Sequence, residues 1–311
     1  MLIQFYYEIF STFQPLSLLT SLLRAFKYVR LICNCIGYCR IRPKPILDTP
    51  TFTNHDATVV IPSLLDGDED SFKDTIRSIL KNDPCELILV TTNAKMDKAE
   101  KIASELSKKI KVKSVHQANK RRQMINGLLS VSTKITIFAD DDVLWPPTLM
   151  PWMLAPFEDP RIGGVGTNQR LRYQKDPPAW LDNNFWEFLG AAYLIRRNWD
   201  CAACTWWDGG LPCLSGRTVA YRTEIINSDD FQHEFEHETW RTFQLNADDD
   251  NFLTRWMVSH GYKTWIQFHR DCEVLTTLED NPKYVKQCFR WARSNWRSNL
   301  KSLFKEWTVW R

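Results

Sequence analysis

The chain has 311 residues, of which 44% are hydrophobic and 25% are charged, and its formal net charge is +3 at pH 7. This composition predicts a packed globular protein of one or two domains and excludes a disordered chain. So small a net charge gives no support to a nucleic acid as partner, and we expect none. The nine cysteines occur without an obvious secretory signal peptide, which favours free thiols in a reducing compartment.

The N-terminal segment combines a helical pattern of apolar residues with regularly spaced cations. In residues 16–30, apolar side chains recur at helical spacing, and beside them stand Arg24, Lys27 and Arg30. This pattern is typical of a helix that lies in a membrane interface with its cations toward the lipid headgroups. We therefore expect an amphipathic, membrane-associated helical segment on the cytosolic face of a membrane. A helix packed on the protein's own body is the alternative.

From residue 57 onward, short apolar runs alternate with helical patterns. The apolar, β-branched runs predict strands at 57–62, 86–90, 110–115 and 134–139. The stretches between them place apolar residues at helical spacing and predict helices at 68–82, 98–109 and 119–132. Such an alternation predicts an α/β fold with a parallel sheet, in which ligands bind beyond the carboxyl ends of the strands.

Three consecutive aspartates, Asp140–Asp142, follow the fourth predicted strand. Carboxylates with the spacing Asp-x-Asp can hold a hard divalent cation such as Mg²⁺, which usually keeps substrate phosphates among its ligands. A basic cluster begins the preceding helix: Lys120, Arg121 and Arg122. Cations at a helix N-terminus favour phosphate groups. Together the two motifs predict a diphosphate site. Taken singly, the aspartates could instead form a solvated acidic turn, and the cations could form a solvated helix face.

Two later motifs carry further candidates. A second acidic triplet, Asp248–Asp250, opens a helical pattern. A carboxylate there could take a proton from an acceptor hydroxyl, and simple helix capping is the alternative. Near the end of the chain, Gln287, Arg290 and Trp291 fall within one helical turn and share a face. The alternative for this last stretch is an amphipathic basic helix on a membrane surface or on a partner.

These motifs occur in the order found in the processive family 2 glycosyltransferases, and the chain resembles that family, which includes the hyaluronan, cellulose and chitin synthases. Three stretches resemble its fungal polysaccharide-synthase-like branch: GGVGTNQR (163–170), LSGRTVAYR (214–222) and DDDNFLTRW (248–256). The resemblance covers residues 57–300. It implies a GT-A-like (Rossmann-like) nucleotide-sugar transferase domain. The implied reaction is an inverting transfer of a sugar, with UDP expected as the nucleotide, to a hydroxyl of a glycan acceptor.

The resemblance also implies roles for individual residues. The donor nucleotide sugar is expected to meet Pro62, Ser63, Asp66, Lys120, Arg121, Asp140, Asp142 and Arg290. Mg²⁺ or Mn²⁺ is the implied cofactor, with Asp140 and Asp142 as its ligands. Asp250 matches the family's catalytic base, and its neighbour Asp249 is the second candidate. The implied acceptor-binding residues are Ser215, Gly216, Arg217, Gln287 and Trp291.

The chain departs from the family pattern in two places. Relatives often carry an aspartate that binds uracil after the second strand, where this chain reads VTTN (90–93), so Asp66 becomes the candidate for that contact. Relatives also continue into transmembrane helices that form a polymer channel, whereas no 18-residue apolar run follows residue 300. Three interpretations stay open: a shortened form, an enzyme that needs membrane-embedded partner subunits, or an enzyme that does not export a polymer.

We therefore divide the chain into a membrane-associated segment and linker (1–55), a glycosyltransferase domain (56–300) and a basic, aromatic tail (301–311). Two rival functions remain. HEFEH (233–237) matches the zinc metalloprotease motif HExxH, in which His233 and His237 would bind zinc and Glu234 would act as the base. A charged connector is the plainer interpretation of that stretch. The other rival is a membrane-associated scaffold that binds nucleotide without turnover.

Overall fold

The computed structural model describes residues 2–173, 185–209, 211 and 213–306, with side chains from residue 17 onward. The α-helices are α1 (Leu2–Arg40), α2 (Glu69–Leu80), α3 (Met96–Leu106), α4 (Lys120–Leu128), α5 (Leu149–Leu154), α6 (Phe185–Trp207), α7 (Thr223–Ile226), α8 (Asp229–His237), α9 (Asp249–Ser259) and α10 (Lys283–Phe304). The strands are β1 (Ala57–Pro62), β2 (Glu86–Thr92), β3 (Ile110–Val115), β4 (Ile135–Ala139), β5 (Val143–Leu144), β6 (Ile162–Leu171), β7 (Thr218–Arg222), β8 (Thr239–Trp240), β9 (Phe243–Gln244), β10 (Lys263–Gln267) and β11 (Glu273–Thr276).

The structure confirms the strands and helices predicted for the first half of the domain, with small shifts at the helix ends. All six residues of β1 are buried, as the uninterrupted apolar run predicted. Side-chain caps begin two of the helices. Asp68 accepts a hydrogen bond from the backbone N–H of Ser71 at the start of α2. Asn119 accepts one from the N–H of Arg122 at the start of α4, which satisfies an otherwise unpaired helix donor.

The strands form a mixed sheet in the order β3-β2-β1-β4-β7-β6-β11-β5, and β10 also pairs with β6. Strands β1 to β4 run parallel, as predicted. β7 is antiparallel to both β4 and β6, so the expectation of an entirely parallel sheet is wrong. The chain returns to β4 at its carboxyl end, where the Asp140 N–H donates to the Arg217 carbonyl oxygen at 3.0 Å. This reversal brings residues 213–217 to the same edge as the three aspartates.

Apolar side chains cover both faces of the sheet. One cluster joins the sheet to α2, α3 and α5, and the other joins it to α4, α8 and α9. A smaller cluster of Leu171, Leu194, Leu278 and Tyr284 connects β6, α6 and α10 beyond the edge of the sheet. The helices that carry the basic cluster and the second acidic triplet, α4 and α9, therefore lie on one face.

Among the described side chains of the N-terminal helix α1, those of its last turns pack on the body of the protein. There the Asn34 side-chain amide donates to Asp200 at 3.1 Å, and the Cys33 carbonyl oxygen accepts from the Trp207 indole at 3.0 Å. Residues 17–32 are all exposed. Among the described residues, no helix combines the length and the apolar character that crossing a bilayer requires. The membrane association of this helix stays a prediction.

The structure modifies the expected C-terminal tail. Helix α10 continues to Phe304, so residues 301–304 belong to the helix that carries Gln287 and Arg290 rather than to a separate tail. Residues 307–311 lie outside the described part of the chain. At the other boundary, residues 41–53 have neither helix nor strand, and the division of the chain into a linker and a domain stays a prediction.

Helix α4 lies directly against the sheet because residue 127 has no side chain. A Cβ atom at Gly127 would stand 2.5 Å from Cγ1 of Val60 and 3.1 Å from Cγ2 of Val90. Real Cβ contacts are longer, so any other residue would push α4 away from β1 and β2.

We expect Gly127→Ala to lower the free energy of unfolding by about 1–2 kcal/mol because overpacking strains the core. Alanine in an unhindered helix would instead stabilise the protein by about 1 kcal/mol. Urea denaturation would measure the change. Gly67→Ala is the control, since a Cβ atom there would meet nothing within 4 Å. A Gly127→Ala protein at least as stable as the wild type would contradict this packing.

Candidate active site

The first and third aspartates after β4 are held from two different directions. Asp140 Oδ1 accepts a hydrogen bond from Lys120 Nζ at 2.9 Å. Asp142 Oδ2 accepts one from the Thr277 hydroxyl at 2.6 Å, just beyond the end of β11. One contact comes from α4 and the other from the residue after β11. Together they hold the two carboxylates beside each other.

The middle aspartate holds two strand ends together. Asp141 Oδ2 accepts from the Ser63 hydroxyl at 2.5 Å, and the Asp141 carbonyl oxygen accepts from the Thr75 hydroxyl at 3.2 Å. We assigned Asp141 no role in binding the metal. Its contacts instead tie the end of β4 to the end of β1 and to α2.

Two of the three carboxylates, Asp141 and Asp142, have raised pKa values, chiefly because they are buried. Burial, followed by the negative charge of Asp140, raises the pKa of Asp142 to about 6. Burial also raises the pKa of Asp141, although the hydrogen bond from Ser63 opposes the shift. Closely spaced carboxylates with raised pKa values bind a cation well because the cation removes their mutual repulsion. The oxygen donors of Asp140 and Asp142 therefore fit a hard divalent cation such as Mg²⁺ or Mn²⁺.

Lys120 connects the two acidic motifs. Its Nζ lies 2.9 Å from Asp140 Oδ1 and 3.2 Å from Asp249 Oδ2. Burial alone would lower the pKa of Lys120, but the charges of Asp140 and Asp249 raise it above its ordinary value. This lysine is therefore a permanent cation between the first acidic triplet and the second.

The structure distinguishes the two candidates for the base. The Asp249 carboxylate is buried, at 6% exposure, and faces Lys120. Asp250 lies at the wall of the cleft, where its Oδ1 accepts a hydrogen bond from the Asn251 N–H at 2.8 Å. Burial and the charge of Asp249 raise the pKa of Asp250, while Lys120 and the Cys213 thiol oppose the rise. Asp250 is thus the better placed of the two to receive a proton.

Arg121 is not where the sequence led us to expect it. Its side chain is 1% exposed, and it points away from the cleft into the protein. The guanidinium donates to the carbonyl oxygens of Phe235 at 2.7 Å and Ala247 at 3.0 Å, and to Glu238 Oε2 at 2.8 Å. Because successive helical residues point in different directions, Lys120 reaches the cleft and its neighbour cannot. The Arg121 side chain therefore does not line the cleft in which the diphosphate is expected.

Glu238 is the centre of a buried ionic network behind the second triplet. Its carboxylate pairs with Arg121 at 2.8 Å, with Arg255 of α9 at 2.5 Å and with Lys301 of α10 at 2.8 Å. Burial on its own would raise the pKa of Glu238, but these three cations outweigh it and hold the pKa below its ordinary value. The network joins α4, α9 and α10, and it holds the loop that leads to Asp248.

Two adjoining hollows meet at the aspartates. The first, of about 650 Å³, is lined by Pro62, Ser63, Asp66, Asn119 and Gln123, among others. The second, of about 640 Å³, is lined by Ser215, Gly216, Arg217, Asp249, Asp250, Gln287, Arg290 and Trp291, among others. Both share the side chains of Lys120, Asp140, Asp142 and Thr277. Apart from Arg121, the structure thus brings every predicted site residue to one continuous cleft.

In the first hollow, Asp66 lies at the rim, where it pairs with Lys95 at 3.2 Å and its side chain is 68% exposed. Nothing in these contacts assigns it to a nucleobase. In the second hollow, Gly216 approaches the acidic triplet closely, since a Cβ atom there would lie 3.3 Å from Asp249 Oδ2. The small residue at this position leaves room between the two acidic motifs.

The aromatic floor of the second hollow includes a residue that the sequence analysis missed. Trp291 stacks on Tyr193 of α6, with ring centroids 4.9 Å apart and planes inclined by 18°. The Arg217 guanidinium lies 5.5 Å from the Trp291 ring centroid. Arg197, also on α6, lines the same hollow. Two adjacent arginines in the otherwise apolar helix YLIRRNW (193–199) were the available signal.

The HExxH motif does form a helix, α8, and the rings of His233 and His237 stack at 4.6 Å. The His237 Nδ1 atom already hydrogen-bonds the His233 carbonyl oxygen at 2.9 Å. Within the described part of the chain, no group of three His, Cys, Asp or Glu side chains is arranged to hold a metal ion. The zinc-protease interpretation therefore finds no third ligand among the described residues.

A mixed α/β sheet with an Asp-x-Asp motif at the end of its central strand, beside a two-part cleft, defines a GT-A-type nucleotide-sugar transferase. A family model described as glycosyltransferase like family 2 matches residues 55–294. The chain belongs to this family of glycosyltransferases.

Among the relatives, a type 2 glycosyltransferase of Zymoseptoria tritici is 54% identical over 286 residues, which cover 91% of this chain and 59% of that protein. Human hyaluronan synthase 3 is 28% identical over 174 residues, or 56% of this chain and 28% of the synthase. A solved structure of a mannosyltransferase from Pyrobaculum calidifontis, in complex with GDP-Man and Mn²⁺, matches this chain with a TM-score of 0.58. The match covers 90% of this chain and 74% of the mannosyltransferase, with 15% sequence identity. This similarity shows a shared fold and nothing more.

We expect Arg121→Met to lower the free energy of unfolding by at least about 3 kcal/mol, because it removes a buried charge and leaves carbonyl acceptors unpaired. Arg122→Met is a matched control. Arg122 pairs with Glu236 at the surface, and such pairs contribute up to about 1 kcal/mol. Thermal and urea unfolding would measure both. If Arg121 instead bound the diphosphate, Arg121→Met would weaken nucleotide binding while leaving stability close to that of Arg122→Met.

Proposed function

We propose that this protein transfers a sugar, with inversion, from a nucleotide-diphosphate sugar to a hydroxyl group of a glycan acceptor. The arrangement of Lys120 carries the proposal. This one cation stands between the Asp-x-Asp motif and the carboxylate pair that includes the candidate base. A donor diphosphate at the first motif would therefore end within reach of an acceptor activated at the second.

The first hollow suits the donor nucleotide. It opens between β1 and the start of α4 and ends at the three aspartates. A divalent cation held by Asp140 and Asp142 would neutralise the diphosphate and make it a better leaving group. We propose a UDP-sugar, from the resemblance to the hyaluronan synthases, with Ser63 and Pro62 in the wall that faces the nucleotide.

The second hollow suits the acceptor, with Ser215, Gly216, Gln287 and Trp291 along its walls. In the proposed reaction, Asp250 takes the proton of an acceptor hydroxyl. The hydroxyl oxygen then bonds to the anomeric carbon as the bond from that carbon to the diphosphate oxygen breaks. Lys120 and Arg290 stabilise the negative charge of the departing diphosphate. The stacked rings of Trp291 and Tyr193 offer a flat surface for a sugar.

We further propose that the enzyme is of the polysaccharide-synthase type, as the order of its motifs indicates. The chain spans 54–59% of the length of its fungal relatives, so the activity of the whole protein, repeated transfer included, is part of the proposal. A scaffold that binds nucleotide without turnover would have no need of a carboxylate placed like Asp250.

The exposed part of α1 supports an association with a membrane surface on the cytosolic side. Its apolar stripe includes Leu18, Leu22, Phe26 and Val29, whose side chains are 58–67% exposed. Cations flank this stripe, and anionic lipid headgroups complement them. A lipid surface is therefore the proposed occupant of this face.

Two substitutions should separate the roles of the acidic motifs. Asp250→Asn is expected to reduce sugar transfer at least about 100-fold, because a general base is lost, while nucleotide affinity stays within a few-fold. Asp142→Asn is expected to weaken metal-dependent nucleotide binding at least about tenfold, since a metal ligand is lost. Transfer would be assayed over a panel of UDP- and GDP-sugars with Mn²⁺ or Mg²⁺, and nucleotide binding by calorimetry.

Asp97→Asn is the control for both variants, because Asp97 is exposed in the first turn of α3, outside both hollows. Equal loss of binding and transfer in Asp250→Asn would remove Asp250 from the role of base. Unchanged binding in Asp142→Asn would remove Asp142 from the metal site. Wild-type protein that binds UDP and metal but turns over no donor would favour the scaffold.

The membrane proposal predicts that the protein floats with vesicles that contain anionic lipid. The double variant Leu22→Glu and Phe26→Glu should bind these vesicles at least about tenfold more weakly, since it removes apolar contacts and repels the headgroups. Phe243→Glu is the control, because Phe243 is 72% exposed on the β8–β9 hairpin of the globular body. The proposal fails if wild-type protein does not float, or if both variants lose binding alike.

A further inference from the structure

The second hollow is lined in part by arginines that lack carboxylate partners. Arg30 of α1, Arg197 of α6 and Arg217 line this hollow together with Arg290 of α10, which we assign to the donor diphosphate. Within the described ranges, none of the four forms an ion pair with a carboxylate, in contrast to Lys120, which has two.

Arg197 and Arg217 form the core of this group of arginines. Both are half-buried, and each interacts with neutral groups. Arg197 donates to the Cys213 carbonyl oxygen at 3.0 Å. Arg217 donates to Gln169 Oε1 at 3.0 Å. Burial, followed by the positive charge of Arg197, lowers the pKa of Arg217, while the charges of Asp140 and Asp142 oppose the shift. Both guanidinium groups line the same hollow.

Two like charges withdrawn from water are costly unless an opposite charge compensates them. The guanidinium fork matches the oxygens of a carboxylate or a phosphate, to which it can donate two hydrogen bonds at once. A ligand anion that both Arg197 and Arg217 reach would compensate their charges and accept from the guanidinium donors that have no acceptor among the described residues. The arrangement is thus complementary to an anion rather than to a neutral sugar.

The position of the pair relates this anion to the acceptor. Arg197 donates to the Cys213 carbonyl oxygen, and Cys213 and Asp250 line the same hollow. The donor diphosphate, by contrast, is expected at Lys120 and the three aspartates. An anionic group at Arg197 would therefore belong to the molecule whose hydroxyl Asp250 deprotonates.

We propose that the acceptor carries an anionic group, a carboxylate or a phosphate, which Arg197 and Arg217 bind beside the reacting hydroxyl. This inference rests on the proposed function and specifies the class of its acceptor. The group is a recognition element and takes no part in the bonds that form and break. A uronic-acid residue of a glycan and the phosphate of a lipid-linked glycan share this chemistry.

The test uses the whole chain with its donor site filled by Mn²⁺ and UDP, or GDP if only that nucleotide binds. Binding of trigalacturonic acid is compared with that of neutral cellotriose, and binding of geranyl phosphate with that of geraniol. At least one anionic probe should bind at least about tenfold tighter than its neutral counterpart, as expected for charge-assisted hydrogen bonds. The probe that is preferred identifies the source, a sugar acid or a lipid phosphate.

Arg197→Gln should abolish this preference and leave the affinity for UDP and Mn²⁺ unchanged, and Arg197→Lys should retain part of it. Arg196→Gln is the matched control, because Arg196 pairs with Asp200 at 2.6 Å and should not affect the preference. Thermal unfolding would confirm that each variant is folded. Failure of the wild type to bind any nucleotide would reject the proposed function itself.

Two results would overturn the inference while the proposed function stands. One is equal binding of anionic and neutral probes to nucleotide-saturated wild-type protein. The other is an Arg197→Gln protein whose nucleotide affinity falls as much as its anion affinity, which would assign the arginines to the donor diphosphate.

Discussion

The site depends on a concentration of like charge at the end of one central strand. Three carboxylates, Asp140–Asp142, leave β4 together and repel one another in a partly buried setting, where charges interact more strongly than in water. Each is restrained by a different part of the fold: Lys120, Ser63 and Thr277. These contacts keep the three carboxylates close together although they repel one another. A cation completes such a site because it lowers the free energy of all three groups.

Helix α4 links this charge cluster to the rest of the cleft. Its first residue, Lys120, reaches into the cleft, while Arg121 turns into the protein and binds Glu238 and the loop before Asp248. One turn of helix therefore positions the metal-binding carboxylates from one side and the second acidic triplet from the other. The buried network costs desolvation, and its hydrogen bonds and three cations around Glu238 offset that cost only while every member is present. The distance between the two acidic motifs is set by this arrangement.

Much of this could be predicted because local patterns determine it. The runs at β1 and β4 are mostly apolar and rich in β-branched residues, so the sequence predicted that they are buried strands and that Asp140 and Ser63 lie at one edge of the sheet. The direction of β7 could not be predicted, since it depends on how the long excursion through α6 returns to β4. The orientation of Arg121 could not be predicted from the sequence either. Three adjacent cations look alike in sequence, and only the neighbours of α4 determine which one faces the cleft.

Two site residues were missed because their role depends on how the helices pack together. Tyr193 and Arg197 lie on a helix whose pattern is mainly apolar, and their role appears only when α6 packs beside α10 and Trp291 stacks on Tyr193. Helix α6 also receives the last turns of α1, so the wall that carries the unpaired arginines is continuous with the helix that we place at a lipid surface. An acceptor that enters along this wall would meet cations before it reaches Asp250. The donor would meet carboxylates and their cation. In the proposed arrangement, the donor and the acceptor would therefore meet at Lys120, between the two acidic motifs.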